Sequence, residues 1–304
     1  MELLSTKEVA AYLGVNEKMV YTLISDKDLP ATKVTGKWLF PREMVERWVE
    51  MHTVNPPGPA PEGGMLTLAG SNDVLLDRAM NMYNERFPGQ PAAHSNLGSK
   101  GGLEALRRGL CHIATSHLME EDGKEFNFSH VAKLMDRPPA VVSFCRREQG
   151  LVLPPGNPRG VKSVADIGRQ GLKVVNRSLA TGTRLLFERF LEDAGIDPED
   201  VPGHDFVVPR HMDVGLAVLT GKADCGPAIR SVAGMLGLDF LPLTWERFDL
   251  LINRERFFSP SVQGFLNILQ EPAFRAQTDD LEGYDVSSSG RMLFAGGDEK
   301  GEDQ

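Results

Sequence analysis

A twelve-residue segment rich in proline and glycine, residues 53–64, divides this chain into two parts of unequal length. It reads TVNPPGPAPEGG, with four prolines, three glycines and no periodic apolar positions. Proline lacks the backbone N–H that helices and sheets need, and glycine leaves the backbone unusually free. The segment is therefore predicted to be a linker between a small domain, residues 1–52, and a larger one, residues 65–294. An acidic, glycine-containing tail follows at residues 295–304.

The overall composition is typical of a soluble globular protein. Of the 304 residues, 41% are hydrophobic and 25% are charged, and no apolar run is long enough to span a bilayer. The N-terminus has acidic and polar residues where a secretory signal needs a basic start and an unbroken apolar stretch. We therefore expect a cytoplasmic protein with no membrane contact. The net charge of −9 indicates solubility rather than an extended basic surface.

The chain lacks the sequence patterns that are typical of catalysis or of a resident metal ion. Cys111, Cys145 and Cys225 are odd in number and lack CxxC spacing, so we expect buried thiols rather than a disulfide or a zinc site. There is no HExxH, no GxSxG, no Walker lysine loop and no GxGxxG after a strand. We predict that the chain is not an enzyme and has neither a metal site nor a resident cofactor.

The N-terminal domain has the spacing of a helix-turn-helix. Ser5 and Glu8 form a capping box that begins a helix over residues 6–13, and Asn16 can cap a second helix after a turn at Gly14. Because that turn has only two residues, the two helices must cross and bury their apolar faces together. Four side chains of the second helix then face outward and could read a DNA groove: Glu17, Lys18, Tyr21 and Thr22.

A short hairpin and a third helix complete the N-terminal domain. Pro30 ends the second helix, the segment ATKVTGKWLF alternates around a turn at Gly36, and Pro41 begins the third helix. Residues 1–52 hold seven Lys or Arg against eight Asp or Glu, so only a local cluster of cations could contact DNA phosphates. One such cluster lies beside the hairpin and consists of Lys33, Lys37 and Arg42.

These elements together resemble the excisionase-like, MerR-related winged helix-turn-helix family. The resemblance covers nearly all of the domain and rests on the capping box and its helix, on Gly14, on Leu29–Pro30, and on Lys37–Trp38 shortly before Pro41. It implies that the second helix enters the major groove and that the hairpin lies along the phosphates as a wing. A compact helical module that binds another protein is the alternative that the sequence leaves open.

The C-terminal domain alternates strands and helices, which is typical of an α/β fold. The apolar stretch MLTLAG runs through a short polar loop into the amphipathic helix VLLDRAMNMYNERF, and CHIATSHL and LKVVN are further predicted strands. Ligands of such folds bind at the carboxyl ends of the strands. Three loops, at residues 70–73, 95–102 and 176–183, combine hydroxyl or amide side chains with glycine, and each precedes a helix.

These three loops are predicted to bind an anion. Helix N-termini present free amide donors, and the Arg177 guanidinium could add a planar fork of charged donors for a tetrahedral oxyanion. The alternative is that the loops are ordinary helix caps. The candidate ligand-binding residues are Ser71, Asn72, Ser99, Lys100, Arg177, Thr181, Gly182 and Thr183.

From Met65 to about Phe294 the chain is similar to the substrate-binding-protein-like domain of bacterial regulators, which is related to periplasmic molybdate- and tungstate-binding proteins. The similarity implies a type II periplasmic-binding-protein fold with two α/β lobes. We expect one lobe at about residues 65–146 and 247–294, the other at about 147–246, and closure on the ligand by a hinge. The stretches that carry it are LAGSND, SNLGSKGGLEALRRG, ATSHL, REQGLVLPPGNPRGVKSVADI, NRSLATGTRLLFERFLEDAGI, VLTGKADCGPAI and LGLDFLPLTWERFDLLI.

The same resemblance suggests the ligand. In the tungstate-binding relatives the third loop reads Ser-Arg-Gly-Asp-x-Ser-Gly-Thr, which aligns with residues 176–183 and keeps the arginine, a hydroxyl, the glycine and the threonine. Ser178–Leu179 replaces Gly-Asp, and Lys100 stands where those relatives have a neutral residue. We expect molybdate or tungstate first and another small anion second, so that a metal would enter only within the bound oxyanion.

The two domains together predict a one-component transcription regulator, in which a winged helix-turn-helix precedes a two-lobed, periplasmic-binding-protein-like sensor of a small anion. It would bind a double-stranded DNA operator as a homodimer, because a single small recognition helix binds weakly. Two alternatives remain open. The regulator could sense a small organic anion, or the protein could store or deliver oxyanion in molybdenum or tungsten cofactor metabolism without binding DNA.

Overall fold

The computed structural model of the protein describes residues 2–34, 36–52, 64–120, 125–135 and 137–294. The chain divides into two units, residues 1–61 and residues 62–304. Of the predicted linker only Gly64 is described, and the predicted acidic tail lies outside the described residues. None of the helices within the described ranges is long and apolar enough to cross a membrane.

The N-terminal unit contains the helices and the hairpin that the sequence predicts. The capping box is present, with the Ser5 amide donating to Glu8 Oε2 at 2.7 Å and the Glu8 amide to Ser5 Oγ at 3.4 Å. Gly14 adopts a φ of 67°, which favours glycine, and Asn16 Oδ1 accepts from the Met19 amide at 2.9 Å. The elements are β1 (Leu3–Ser5), α1 (Thr6–Leu13), α2 (Glu17–Asp26), β2 (Thr32–Val34), β3 (Lys37–Pro41) and α3 (Arg42–Met51).

A three-stranded antiparallel sheet and one apolar core hold this unit together. The strand order is β1-β3-β2, and β1 is an element that the sequence analysis did not predict. The core joins all three helices to the sheet, and Trp48 Nε1 ties α3 to the end of α2 by donating to Lys27 O at 2.9 Å. The fully buried side chains of this core include Val9, Val20, Phe40 and Val45.

The second unit contains one large mixed sheet and a separate two-stranded parallel sheet. Its strands are β4 (Leu66–Gly70), β5 (Ala92–Asn96), β6 (Ile113–Ser116), β7 (Ala140–Leu153), β8 (Asn176–Arg177), β9 (Val207–Val208), β10 (Gly226–Ile229), β11 (Asp239–Ile252), β12 (Tyr284–Asp285) and β13 (Met292–Phe294). Its helices are α4 (Val74–Arg86), α5 (Gly98–Arg107), α6 (Phe128–Leu134), α7 (Ala165–Gln170), α8 (Gly182–Asp193), α9 (His211–Leu219), α10 (Arg230–Leu236), α11 (Arg254–Phe257), α12 (Pro260–Ile268) and α13 (Pro272–Arg275).

Two long antiparallel strands, β7 and β11, run through both lobes of this unit. The sheet order is β10-β7-β11-β6-β4-β5, so the same two strands pair with β6 in the first lobe and β10 in the second. Their pairing register shifts between Pro242 and Thr244 and again between Phe248 and Asp249. The first lobe packs α4, α5 and α12 around β4, β5 and β6, whereas α7 to α10 surround β8, β9 and β10. The predicted two-lobed α/β fold is confirmed.

One local prediction for this unit is confirmed and two need correction. Cys111, Cys145 and Cys225 are free and buried, as expected. The predicted loop at 95–102 is shorter, because α5 already begins at Gly98. The predicted strand LKVVN is reduced to a bridge from Val174 to Cys225 and the short strand β8.

A glycine at the packing contact between α5 and β4 gives a test of this fold. A Cβ on Gly102 would lie 2.6 Å from Gly70 Cα and 2.7 Å from Ala69 O, and neither backbone atom can rotate away. We expect Gly102→Ala to lower the free energy of unfolding by about 1–3 kcal/mol, measured by urea denaturation. The control is Gly234→Ala in α10, where the nearest atom would be 3.8 Å away. That variant should be neutral or gain up to about 1 kcal/mol, and equal losses in both would contradict this packing.

Candidate functional site

The three predicted loops meet where the two lobes face each other. In the first lobe Ser71 Oγ and Ser99 Oγ lie 2.9 Å apart, which joins the loop after β4 to the start of α5. The third loop belongs to the second lobe, and its Arg177 Nη2 donates to Asn72 Oδ1 at 3.2 Å. The structure therefore brings candidate residues from all three loops together at one place.

Close backbone contacts between the lobes explain two glycines at this place. A Cβ on Gly98 would lie 2.8 Å from Ala180 O, and a Cβ on Gly182 would lie 2.9 Å from His117 O. Asn96 Nδ2 also donates across the cleft to Pro209 O at 3.0 Å. Any larger residue at Gly98 or Gly182 would hold the lobes apart.

The hydroxyls of the third loop mostly serve local structure. Thr181 is the N-cap of α8, accepting from the Arg184 amide at 3.3 Å and donating to Ser178 O at 2.7 Å. Thr183 Oγ1 accepts from Gln149 Nε2 at 3.2 Å, and both side chains are buried. Thr181 therefore forms the hydrogen bonds of a helix cap, whereas Thr183 contacts Gln149 on a strand that runs through the cleft.

Lys100, another predicted ligand-binding residue, lies outside the buried part of the cleft. Its side chain is exposed, although its backbone amide donates to Ala180 O at 3.3 Å. The reason is helical geometry. Lys100 lies in the first turn of α5 directly after Ser99, which is buried, and successive helical residues point about 100° apart.

A buried charge network, which no sequence pattern predicted, lies beside these loops. Arg147 on β7 is fully buried and donates from Nη1 to Asp73 Oδ2 and from Nε to Glu246 Oε1, both at 2.6 Å. Tyr284 OH donates to the same Asp73 oxygen at 2.8 Å, and the other Asp73 oxygen caps α4 by accepting from the Leu75 amide at 2.8 Å. The network thus links the first lobe to both long strands.

Glu246 extends the network to the loop after β6. Its Oε2 lies 2.8 Å from His117 Nδ1, and its Oε1 accepts from Gln149 Nε2 at 2.8 Å. Burial opposes ionisation of Glu246, but His117 and Arg147 overcome it and lower the pKa of its carboxyl to about 2. Glu246 is therefore an ionised carboxylate. The available sequence signal was the polar run from Arg146 to Gln149 inside an otherwise apolar strand.

Arg177, unlike Arg147 and Glu246, lies in an environment that disfavours its charge. It is 1% exposed, and its Nη2 donates to Asn72 Oδ1 and to Pro209 O at 3.0 Å, but it forms no ion pair with any described carboxylate. Burial, together with the positive charge of Arg147, lowers the pKa of its guanidinium to about 9. The protein therefore holds a cation here in an unfavourable setting.

Several buried nitrogen atoms around Arg177 have no hydrogen-bond partner among the described residues. Such atoms are uncommon in folded proteins because each costs desolvation free energy. Those at this site are Arg177 Nε, Arg177 Nη1, Arg147 Nη2, Asn176 Nδ2 and His211 Nδ1. The Asp73 and Glu246 carboxylate oxygens beside them all have partners. The arrangement offers several donors that no described residue uses, which suits an anion.

The candidate DNA-contacting residues lie on α2, on the β2–β3 hairpin and at the start of α3. Glu17, Lys18, Tyr21 and Thr22 are exposed on α2, and Lys33 and Lys37 are exposed on β2 and β3. Arg42 is exposed but paired, with Nη1 at 3.1 Å from Glu2 Oε2 and Nε at 3.0 Å from Glu46 Oε1. It would have to leave these two carboxylates before it could contact a phosphate.

Two known domain families match parts of the chain. A PBP superfamily domain matches residues 80–270, and a helix-turn-helix domain matches residues 3–53. The uncharacterized protein YvgK of Bacillus subtilis (strain 168) is 24% identical over 300 residues, which cover 95% of this chain and 96% of that protein.

Solved structures with the same fold include a transporter component and a regulator. A putative phosphate ABC transporter substrate-binding protein from Clostridium perfringens, with bound phosphate, has a TM-score of 0.53 at 13% identity, covering 75% of this chain and 98% of that one. The CcmR regulatory domain of Synechocystis, in complex with 2-PG, has a TM-score of 0.52 at 13% identity, covering 71% of this chain and 98% of that one. Together with the family matches, they support a helix-turn-helix followed by a two-lobed α/β fold.

The two buried arginines should affect stability in opposite directions. Arg147→Met would leave Asp73 and Glu246 buried without their counter-ion, so we expect the free energy of unfolding to fall by about 3–5 kcal/mol. Arg177→Met would remove a buried charge that has no carboxylate partner, and we expect no loss or a gain of up to about 2 kcal/mol. Urea denaturation in buffer free of oxyanions measures both. A large loss of stability in Arg177→Met would contradict the assigned environment of this residue.

Proposed function

The chain belongs to the PBP superfamily, and on that premise we propose that it is a DNA-binding regulator whose second unit senses a small, fully ionised oxyanion. The helix-turn-helix domain at residues 3–53 and the binding-protein-like domain at residues 80–270 together suggest a ligand-sensing DNA-binding protein. The identification of the ligand as an oxyanion is an additional proposal, and the chemistry of the cleft supports it.

The cluster of unpartnered donors around Arg177 is the observation that carries this proposal. A tetrahedral oxyanion presents only acceptors, and each hydrogen bond to a charged group contributes about 1.5–3 kcal/mol. Arg177, Arg147 and Asn176 all present nitrogen donors that the described residues leave unused. A ligand that carries a hydroxyl would need an acceptor, and Asp73 Oδ2 and Glu246 Oε1 each already accept two hydrogen bonds.

We propose molybdate or tungstate as the first ligand to test, with other small anions second. Both are fully ionised near neutral pH and so match a site of donors. The third loop supports them because Arg177, Thr181, Gly182 and Thr183 align with the corresponding loop of the tungstate-binding relatives. Phosphate keeps a proton near neutral pH and fits such a site less well.

Calorimetry of the full chain against molybdate, tungstate, sulfate and phosphate tests the oxyanion proposal. We expect Arg177→Gln to weaken the tightest of these anions by about 30- to 1,000-fold, which corresponds to about 2–4 kcal/mol. Lys100→Gln is the matched control, because it removes the same charge from an exposed position on α5. It should change affinity by less than about threefold. Unchanged affinity in Arg177→Gln, or equal losses in both variants, would contradict the proposed site.

The proposed DNA contact consists of α2 in the major groove and the β2–β3 hairpin along the backbone. Exposed Tyr21 and Thr22 on α2 would contact base edges, and Lys33 and Lys37 would contact phosphates. We further propose that the protein acts as a cytoplasmic homodimer, because paired recognition helices match two half-sites of an operator. Ligand would then act by changing the pairing of the sensor units.

A DNA sequence selected by the full chain from a random library allows the contact to be tested. Lys37→Ala should weaken binding to all sequences and lower the slope of log affinity against log salt by about 0.9. Tyr21→Ala should change the preferred sequence instead. Lys162→Ala, which removes an exposed lysine of the second unit, is the control and should change neither. The proposal fails if a fragment of residues 64–304 binds this DNA as well as the full chain does.

A further inference from the structure

His211 is a buried histidine with an unused ring nitrogen at the proposed anion site. It is the first residue of α9 and 2% exposed, and its Nδ1 has no hydrogen-bond partner among the described residues. The groups whose charges act on it are Arg177 on β8, Arg147 on β7 and His117 after β6, and none of them is a carboxylate. Burial and these neighbours keep the pKa of His211 well below its usual value. His211 is therefore neutral when no anion is bound.

The charge network and Arg177 together contain as many acidic as basic side chains before a ligand binds. The acidic ones are Asp73 and Glu246, the basic ones are Arg147 and Arg177, and all four are buried. A singly charged anion would leave one unbalanced charge, whereas a doubly charged anion would leave two. Unbalanced charge is costly in a site shielded from water, so a dianion favours uptake of a proton by a nearby group.

His211 is better placed than His117 to take up that proton. His117 Nδ1 is already engaged with Glu246 Oε2 at 2.8 Å, so protonation there adds no new contact through that atom. His211 Nδ1 is free of such a contact, and a proton on it creates a charged donor beside Arg177. An imidazolium at this position would both reduce the charge imbalance and bind the anion.

We propose that the site takes up one proton with each doubly charged oxyanion, and that His211 holds this proton and contacts the ligand as an imidazolium. The inference rests on the proposed oxyanion function and adds a ligand-contacting residue to it. It also assigns the ligand to the class of dianions, because a monoanion leaves much less charge to offset.

The sign of the pH dependence follows from this coupling. Anion binding raises the pKa of His211 from its low value in the free protein. Affinity for the anion is therefore highest at low pH and falls as the pH rises towards the higher pKa of the complex. Between the two pKa values the dissociation constant should change by about tenfold per pH unit. Below the pKa of the free protein, His211 is protonated with or without the anion, and the affinity no longer depends on pH.

Calorimetry of the full chain in buffers of equal pH but different ionisation enthalpy counts the protons directly. With tungstate, molybdate or sulfate we expect uptake of about one proton per anion near neutral pH. Perrhenate is tetrahedral, similar in size to tungstate and singly charged, and it should bind with about no uptake. Dianion binding without proton uptake would overturn this inference and leave the oxyanion function standing. Failure of all four anions to bind would overturn both.

A variant assigns the proton to His211. His211→Asn keeps an amide group near the position of Nδ1 but cannot become charged, so proton uptake with tungstate should fall to about zero and affinity should fall about tenfold or more. Perrhenate affinity should stay within about threefold. The control is His204→Asn, since His204 contacts Arg184 and Glu188 instead, and it should leave the proton count unchanged. A proton count that persists in His211→Asn but is lost in His117→Asn would overturn the assignment. If His211→Asn does not fold, the wild-type proton counts for tungstate and perrhenate still decide the coupling.

Discussion

The contact of Arg147 with Asp73 and Glu246 sets the geometry of the whole cleft. Each carboxylate uses its second oxygen elsewhere, Asp73 on the first turn of α4 and Glu246 on His117. One guanidinium on β7 therefore fixes the start of a first-lobe helix, strand β11 and the loop after β6 relative to one another. Desolvation offsets much of the attraction within such a buried cluster. The cluster therefore contributes orientation. The paired side chains of Arg147, Asp73 and Glu246 hold in place the groups that would contact the ligand.

The fixed positions of Arg147, Asp73 and Glu246 also define the environment of Arg177. Arg147 and Arg177 are the same kind of side chain and equally buried, but only Arg147 has carboxylate partners. Glu246 and Asp73 raise the pKa of Arg147 although burial opposes them, while burial and Arg147 lower that of Arg177. The desolvation of Arg177 therefore opposes folding. An anion that arrives later meets donors already aligned, which is how a preorganised site gains affinity.

The features that could be predicted from the sequence are those whose groups are neighbours in the chain. The capping box of Ser5 and Glu8 is a local pattern, and so is the loop that carries Arg177. Asp73, Arg147 and Glu246 could not be joined in this way, because no local spacing relates residues so far apart, even though charged residues within the apolar strand β7 were a visible signal. The exposure of Lys100 was likewise not predictable, because composition shows a charge near a loop but not which way a helical turn points it. The short strand β1 depends on its pairing with β3 and has little pattern of its own.

The second lobe is inserted in the chain between two strands of the first lobe. Strand β6 pairs with β11 through Ile113 and Ile252, so a central strand of the first lobe is synthesised only after the entire second lobe. Domains generally begin to fold from the N-terminus during synthesis. Until β11 emerges from the ribosome, β6 presents an open edge on the side where β11 will pair, and such edges pair readily with other chains. The length of the inserted lobe therefore sets how long each nascent chain is exposed to aggregation.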